Sequence, residues 1–136
     1  MPYMSVRAGA PTLLVFAATV FAGGFTYNWF EARDRFRTHV AASVEGDPER
    51  GEAMFIQYGC GSCHHLKHVR RATGRVGPAL DGLGDQAFVA GKLANSPENL
   101  ERWIRDPQGV SPGTAMPDLN VGRRDARDIT AFLYTR

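Results

Sequence analysis

Cys60, Cys63 and His64, in the run Cys60-Gly61-Ser62-Cys63-His64, are the residues of this chain whose types and spacing imply chemistry. Two thiols held two residues apart can each add across a vinyl group of one porphyrin, giving two thioethers. The residue after the second thiol then lies beneath the iron. Cys-X-X-Cys-His is accordingly the attachment motif of a c-type haem, with His64 as the proximal ligand. A Cys-X-X-Cys pair also serves as a zinc half-site, a thioredoxin-like redox pair or a plain disulfide. A structural zinc site takes four Cys or His ligands, and the chain has no second Cys-X-X-Cys. A redox pair wants a βαβ setting, of which the sequence has no trace. Haem attachment is the reading the motif favours.

A chain of 136 residues suffices for one small domain with an appendage. Its 15 glycines and 8 prolines point to a loop-rich domain. A core of that size is small, and an apolar cofactor held within it would enlarge it. The formal charge is +2, from 16 basic and 14 acidic residues. Nucleic acid binding needs a strongly basic face, so no such partner is expected. Both cysteines lie in the motif and none is left for a structural disulfide.

The elements that must position the motif begin with an apolar stretch. Residues 12–30 are 19 residues without a formal charge. As a helix they extend roughly 28 Å, close to the ~30 Å hydrocarbon thickness of a bilayer. Tyr27 and Trp29 fall at the far end, where aromatic rings favour the lipid–water boundary. Gly23, Gly24 and Asn28 weaken the pattern without abolishing it. A single membrane span is expected within residues 1–30, with Ala18 and Ala22 at small-xxx-small spacing for helix packing. Two alternatives stand beside it. Val20-Phe21-Ala22 ahead of Gly23 resembles a signal-peptide cleavage site, although the apolar run continues past it. A buried soluble helix would need more cover than the rest of the chain offers.

Arg33, Arg35 and Arg37 follow the span and Arg7 precedes it, so the positive-inside rule alone puts the remainder in the cytoplasm. Haem of the c type is attached on the outer face of the bacterial inner membrane, and that chemistry takes precedence. The expected location is the inner membrane, with the haem domain in the periplasm. Residues 31–46 read as a polar connector, helical through Arg37 and frayed beyond, with His39 exposed. Such a tether keeps the domain at high effective concentration near membrane partners.

Asp47-Pro48-Glu49 is a helix start, with Asp as N-cap and Pro at the first position, leading toward Gly59. Gly51 and Phe55, four apart, share a face. Ser96-Pro97-Glu98 starts a second helix, with Leu100, Trp103 and Ile104 inward and Asp106-Pro107 as its end. Trp103 is core filler or an indole donor to a haem propionate. Residues 124–134 read as an amphipathic helix with Ala126, Ile129, Phe132 and Leu133 inward. Residues 65–76 carry Lys67, Arg70, Arg71 and Arg75 and no acid, either a solvated face or a docking surface for an acidic partner. His65 and His68 are rivals to His64, but neither holds the position after the second thiol. Methionine sulfur is a soft neutral ligand that raises the potential of haem iron. Met1 and Met4 precede the span and Met54 lies six residues before Cys60. Met116 sits on a Pro/Gly-bounded loop 52 residues after His64.

In the order helix, Cys-X-X-Cys-His, Gly77-Pro78, helix, Met116-Pro117 loop, helix, residues 47–136 resemble a monohaem class I cytochrome c. Residues 77–119 are similar to the cytochrome c domain fused to subunit II of some bacterial haem–copper oxidases. The residues of this sequence ahead of that domain do not resemble the copper-binding portion, and a short anchor is expected there. The resemblance implies an all-α fold, helices wrapped around one covalent haem, preceded by a single transmembrane helix. The domains are then an anchor over 1–30, a linker over 31–46 and a cytochrome c domain over 47–136. The first and last helices would cross through Gly51 and Phe55 against Phe132 and Leu133. One haem c would be held by Cys60, Cys63, His64, Pro78 and Met116. His64 and Met116 would ligate the iron, and the Pro78 carbonyl would accept the His64 ring N–H and so fix its tautomer.

With both axial positions filled, no small-molecule substrate is expected. The implied function is single-electron transfer in a respiratory chain, as carrier or electron-entry subunit and not as an enzyme in its own right. The implied redox partners are a quinol-oxidising cytochrome complex and a terminal oxidase. The alternatives are a peroxidase or gas sensor with a labile Met116, and an accessory assembly subunit of a respiratory complex.

Overall fold

A computed structural model describes residues 9–136. The expectations attached to Met1, Met4 and Arg7 lie outside the described residues, as does the side chain of His39. The chain divides into two compact units, Met1–Arg35 and Phe36–Arg136. Helix α1, Gly9–Ser43, runs through both. In the first unit it carries Thr12–Ala32, 21 residues of mean hydropathy 1.4, with Leu13, Phe16, Phe21 and Phe25 exposed. That helix is long and apolar enough to cross a membrane. The connector departs from expectation, since it stays helical past Arg37 as far as Ser43. Alanines at 41 and 42 favour helix, and no Gly or Pro intervenes until Gly46.

The second unit is built on a helix crossing. In α2, Pro48–Gln57, the Asp47 carboxylate accepts the Arg50 N–H and Pro48 occupies the first turn. The last helix, labelled α5 below, is Arg123–Tyr134, and Gly51 is where the two touch. A Cβ there would stand 2.0 Å from the Asp128 carbonyl oxygen and 2.8 Å from Phe132 Cβ. Only glycine lets the backbones approach so closely. One turn on, the rings of Phe55 and Phe132 are 5.8 Å apart and both are fully buried. Burying each contributes about 1.5–3 kcal/mol, and the ring pair about 0.5–1.5 kcal/mol more.

A polar clamp closes the same crossing. The Arg50 guanidinium bridges Asp125 and Asp128. The Asp47 backbone N–H donates to Asp128 at 2.9 Å and the Tyr58 hydroxyl donates to Asp125 at 2.7 Å. The Tyr58 and Arg50 hydrogen bonds hold the Asp125 carboxyl below the usual carboxylate range. Asp128 is buried, so removing Arg50 would strand a charge out of water.

Between α2 and α5 the chain is mostly loop, punctuated by two 3₁₀ turns (Cys60–Ser62 and Leu83–Asp85) and a hairpin of β1, Phe88–Val89, with β2, Leu93–Ala94. The hairpin pairs Phe88 with Ala94 and Val89 with Leu93, antiparallel. It is a small addition to an otherwise helical fold. Helix α3, Pro97–Arg105, has its N–H at Asn99 capped by Ser96, and Leu100 and Ile104 are buried. Asn95 donates to the carbonyls of Leu83 and Gln86 and accepts the Tyr134 hydroxyl at 2.7 Å, tying this segment to α5. Burial pushes the Tyr134 hydroxyl up to about 12.

Candidate functional site

Helix α2 ends on Gly59, in the left-handed region at φ 74°, and this turn feeds the chain directly into the Cys60–Ser62 3₁₀ turn. The N–H groups of Cys63 and His64 both donate to the Cys60 carbonyl, at 3.2 and 3.0 Å. The motif is thus a tight backbone coil that carries both thiols and the imidazole. Cys60 and Cys63 are unpaired and half-buried. Burial pushes the Cys60 thiol up to about 11, so it remains protonated at neutral pH.

Three glycines lock this coil against the loop that follows. A Cβ on Gly61 would meet the Arg71 carbonyl at 2.5 Å, and one on Gly74 would meet Ser62 and Cys63 backbone at 2.4 Å. On Gly77 it would lie 2.4 Å from His64 Cε1, with the whole imidazole edge close behind. The Gly74 N–H donates to Gly61 O at 3.0 Å and the Gly77 N–H to Cys63 O at 2.8 Å. Pro78 follows at once, and its carbonyl accepts the His64 Nδ1–H at 2.8 Å. In a neutral imidazole that bond places the proton on Nδ1 and leaves Nε2 as the nitrogen that could ligate.

A cavity of about 500 Å³ opens beside these groups. Its volume falls in the ~300–1,000 Å³ range of cofactor sites. Cys60, Cys63, His64 and Pro78 line it, and so does Met116. The remaining walls are largely apolar, with Phe55, Leu100, Trp103, Ile129 and Leu133 among them. The helix crossing therefore presents the inner faces of its own core residues to the cavity. Two free thiols, an imidazole with one bare nitrogen, a thioether and an apolar enclosure suit a covalent haem. Among the described residues no group of three His, Cys, Asp or Glu side chains is placed to hold a metal ion such as zinc.

All five residues expected from the sequence thus line one cavity. The rivals do not. His65 is exposed with Nδ1 3.1 Å from Asp81, His68 is exposed, and Met54 packs half-buried against the core away from the cavity. Trp103 both packs on the core and faces the cavity.

Gln108 escaped the sequence reading. The segment after Asp106-Pro107 is not a plain helix end, for a one-turn helix α4, Pro107–Val110, starts there with Asp106 capping the Gly109 N–H at 2.7 Å. From α4 the Gln108 amide reaches the Met116 loop. Its Nε2 donates to the carbonyls of Thr114 (2.9 Å) and Met116 (2.8 Å), while its Oε1 accepts the Gly113 N–H at 3.1 Å. The available signal was the Asp–Pro pair itself, the same cap-then-proline pattern that opens α2.

Comparison with known proteins agrees with this geometry. A family model described as Cytochrome c matches residues 48–136. The chain is similar to cytochrome c oxidase subunit 2 of Alkalihalophilus pseudofirmus, 34% identical over 99 residues, covering 69% of this chain and 28% of that protein. The corresponding subunit of Bacillus subtilis is 33% identical over 110 residues, covering 79% and 31%. Cytochrome c2 of Rhodomicrobium vannielii is 28% identical over 110 residues, covering 71% and 85%. The chain thus spans roughly 30% of the two oxidase subunits and most of the cytochrome c2.

Proposed function

The chain belongs to the cytochrome c family, and from that membership we propose that it is a membrane-anchored electron carrier or electron-entry subunit between a quinol-oxidising complex and a terminal oxidase. Electron transfer and a covalently bound haem c follow from the family itself. When bound, haem c supplies a one-electron ferrous–ferric couple. The chain's residues do the rest. Cys60 and Cys63 anchor the group through their sulfurs. His64 would hold the iron through Nε2, while the Pro78 carbonyl accepts the hydrogen bond of its Nδ1–H. Met116 would offer its thioether sulfur to the iron, a soft neutral donor that favours the reduced state. Leu100, Ile129 and Leu133 line the cavity with apolar surface, which would limit water around the bound group and so lower the reorganisation that each electron transfer requires.

The convergence of both thiols, the imidazole and the Met116 side chain on a single apolar cavity is the observation that carries this reading. Its test is optical. The purified protein should be six-coordinate and low-spin, with a methionine-to-iron band when oxidised and no change on adding carbon monoxide when reduced. Ready carbon monoxide binding at neutral pH would move the protein to the gas-sensing or peroxidase class.

The oxidase-subunit relatives support a terminal oxidase as acceptor. The apolar stretch Thr12–Ala32 supports a single span, with the haem domain in the periplasm as the chemistry of attachment requires. Exposed Lys67, Arg70, Arg71 and Arg75 project from a loop whose Leu66, Val69 and Ala72 are buried. That loop packs on the haem-attachment coil through Gly61 and Gly74. A cationic face so close to the redox centre suits docking of an acidic partner. Turnover with that partner should fall as ionic strength rises, and an Arg70→Glu, Arg71→Glu variant should lose most of this salt dependence.

A further inference from the structure

We propose that Gln108 is the positioning residue for the distal ligand, and that its amide sets how often the Met116 sulfur leaves the iron. The proposal rests on Met116 being that ligand. The loop from Ser111 to Met116 has little backbone bonding of its own. The Thr114 N–H donates to Ser111 O at 3.0 Å, and the Met116 N–H reaches only the Thr114 hydroxyl at 3.5 Å. Gly113 stands in the left-handed region at φ 81° with open space around it. Gln108 supplies what is missing, since one half-buried amide makes three hydrogen bonds to the backbone of residues 113, 114 and 116.

Its own placement is firm. Pro107 is fully buried, Asp106 caps α4, and α4 continues from the end of α3, whose Leu100 and Ile104 are in the core. The positioning chain runs from the core through α3 and α4 to one amide, and from that amide to the Met116 carbonyl. The side chain's chemistry matches the task. Two N–H donors meet two carbonyls and one oxygen meets an N–H, which neither a carboxylate nor an alkyl group can reproduce.

The test uses the haem-loaded, full-length protein and its Gln108→Ala, Gln108→Glu and Met116→Ala variants. Imidazole is titrated into the oxidised form while the methionine-to-iron band is followed. An exogenous ligand competes for the open state, so its apparent affinity rises in proportion to that state's population. Loss of the hydrogen bonds that hold the loop predicts binding on the order of tenfold tighter, or more, in Gln108→Ala. Gln108→Glu adds a readout that a merely structural role would not move. Protonated, the acid still donates to one carbonyl; ionised, it faces two carbonyl oxygens with no donor. The ratio of imidazole affinity in that variant to that in the wild type, in which the titration of imidazole itself cancels, should therefore climb with pH through the carboxyl titration. Wild-type affinity in both Gln108 variants at every pH, with Met116→Ala binding tightly, overturns the proposal and leaves Met116 as ligand. An unchanged band in Met116→Ala removes the ligand assignment, and this proposal falls with it.

Discussion

The two walls of the cavity are held by different means. On the His64 side the chain is locked backbone to backbone. Gly61, Gly74 and Gly77 leave no room for a Cβ, and Gly74 and Gly77 donate straight into the motif. On the Met116 side a polar loop hangs from the amide of Gln108, and the glycine in it, Gly113, has open space around it. A wall that receives two covalent bonds has to present its sulfurs and imidazole in one arrangement, which steric locking achieves. A wall that, as proposed, would offer one sulfur through a coordinate bond can be held by side-chain hydrogen bonds, each adjustable by substitution. Under the proposed ligand assignment, retention of the haem and adjustment of its potential would fall to different walls.

The largest effect should come from the locked wall. Cys63→Ser should abolish doubly linked haem and with it stable folding of the small core, as read by mass spectrometry and the haem spectrum. A Met116→Ala variant, in contrast, should keep its haem covalently attached. It should open to exogenous ligands and lower the reduction potential by on the order of 0.2 V, a fraction of the ~0.8 V that axial ligation spans. If both substitutions release haem equally, the division of labour between the walls fails.

Glycine replacements sharpen the contrast at smaller amplitude. Gly77→Ala drives a methyl into the His64 ring, so we expect a loss of about 1–3 kcal/mol and a perturbed low-spin spectrum. Gly113→Ala meets no neighbour and bears only its left-handed backbone, a cost of about 1–2 kcal/mol with the His64 signature intact. Denaturant titration with parallel spectra separates the two.

The smallest effect expected is a pH dependence confined to the His64 side. Asp81 accepts the Lys67 N–H at 2.9 Å and faces His65 at 3.1 Å. The Lys67 backbone bond, and then the His65 contact, hold its carboxyl below the usual range. A lowered folded value means that the contribution is complete above the unfolded carboxylate pKa near ~4 and disappears as pH falls through the folded value. The protection factor of the Lys67 amide, its exchange corrected for the intrinsic pH dependence, should accordingly fall on acidification in the wild type and stay level in Asp81→Asn.

Much of this was legible in the sequence, because the signals were local. Asp47-Pro48 and Ser96-Pro97 open helices where expected, since a cap and a fixed φ act within one turn. Gly51, Phe55, Phe132 and Leu133 were readable from helical spacing joined to the family pattern, and all four are buried. The motif named its own chemistry. The β1–β2 hairpin was not legible, since two-residue strands with Ala90 and Gly91 between them leave no alternation to count. The helical run to Ser43 was underestimated, because a polar connector looks the same whether coiled or extended.

The residues of the sequence, by themselves, determined that two thiols and an imidazole share a reach of five positions, and that Met116 lies on a loop far along the chain. Covalent order and the short range of capping and turn preferences suffice for that. Only the tertiary structure decided that Met116 reaches the same cavity as His64, that Pro78 accepts the imidazole proton, and that Gln108 holds the loop. Each of these joins groups that the chain keeps apart, and it exists because the α2–α5 crossing at Gly51 closes a core around the cavity. Packing is a property of all the segments together, and no stretch of residues carries it alone.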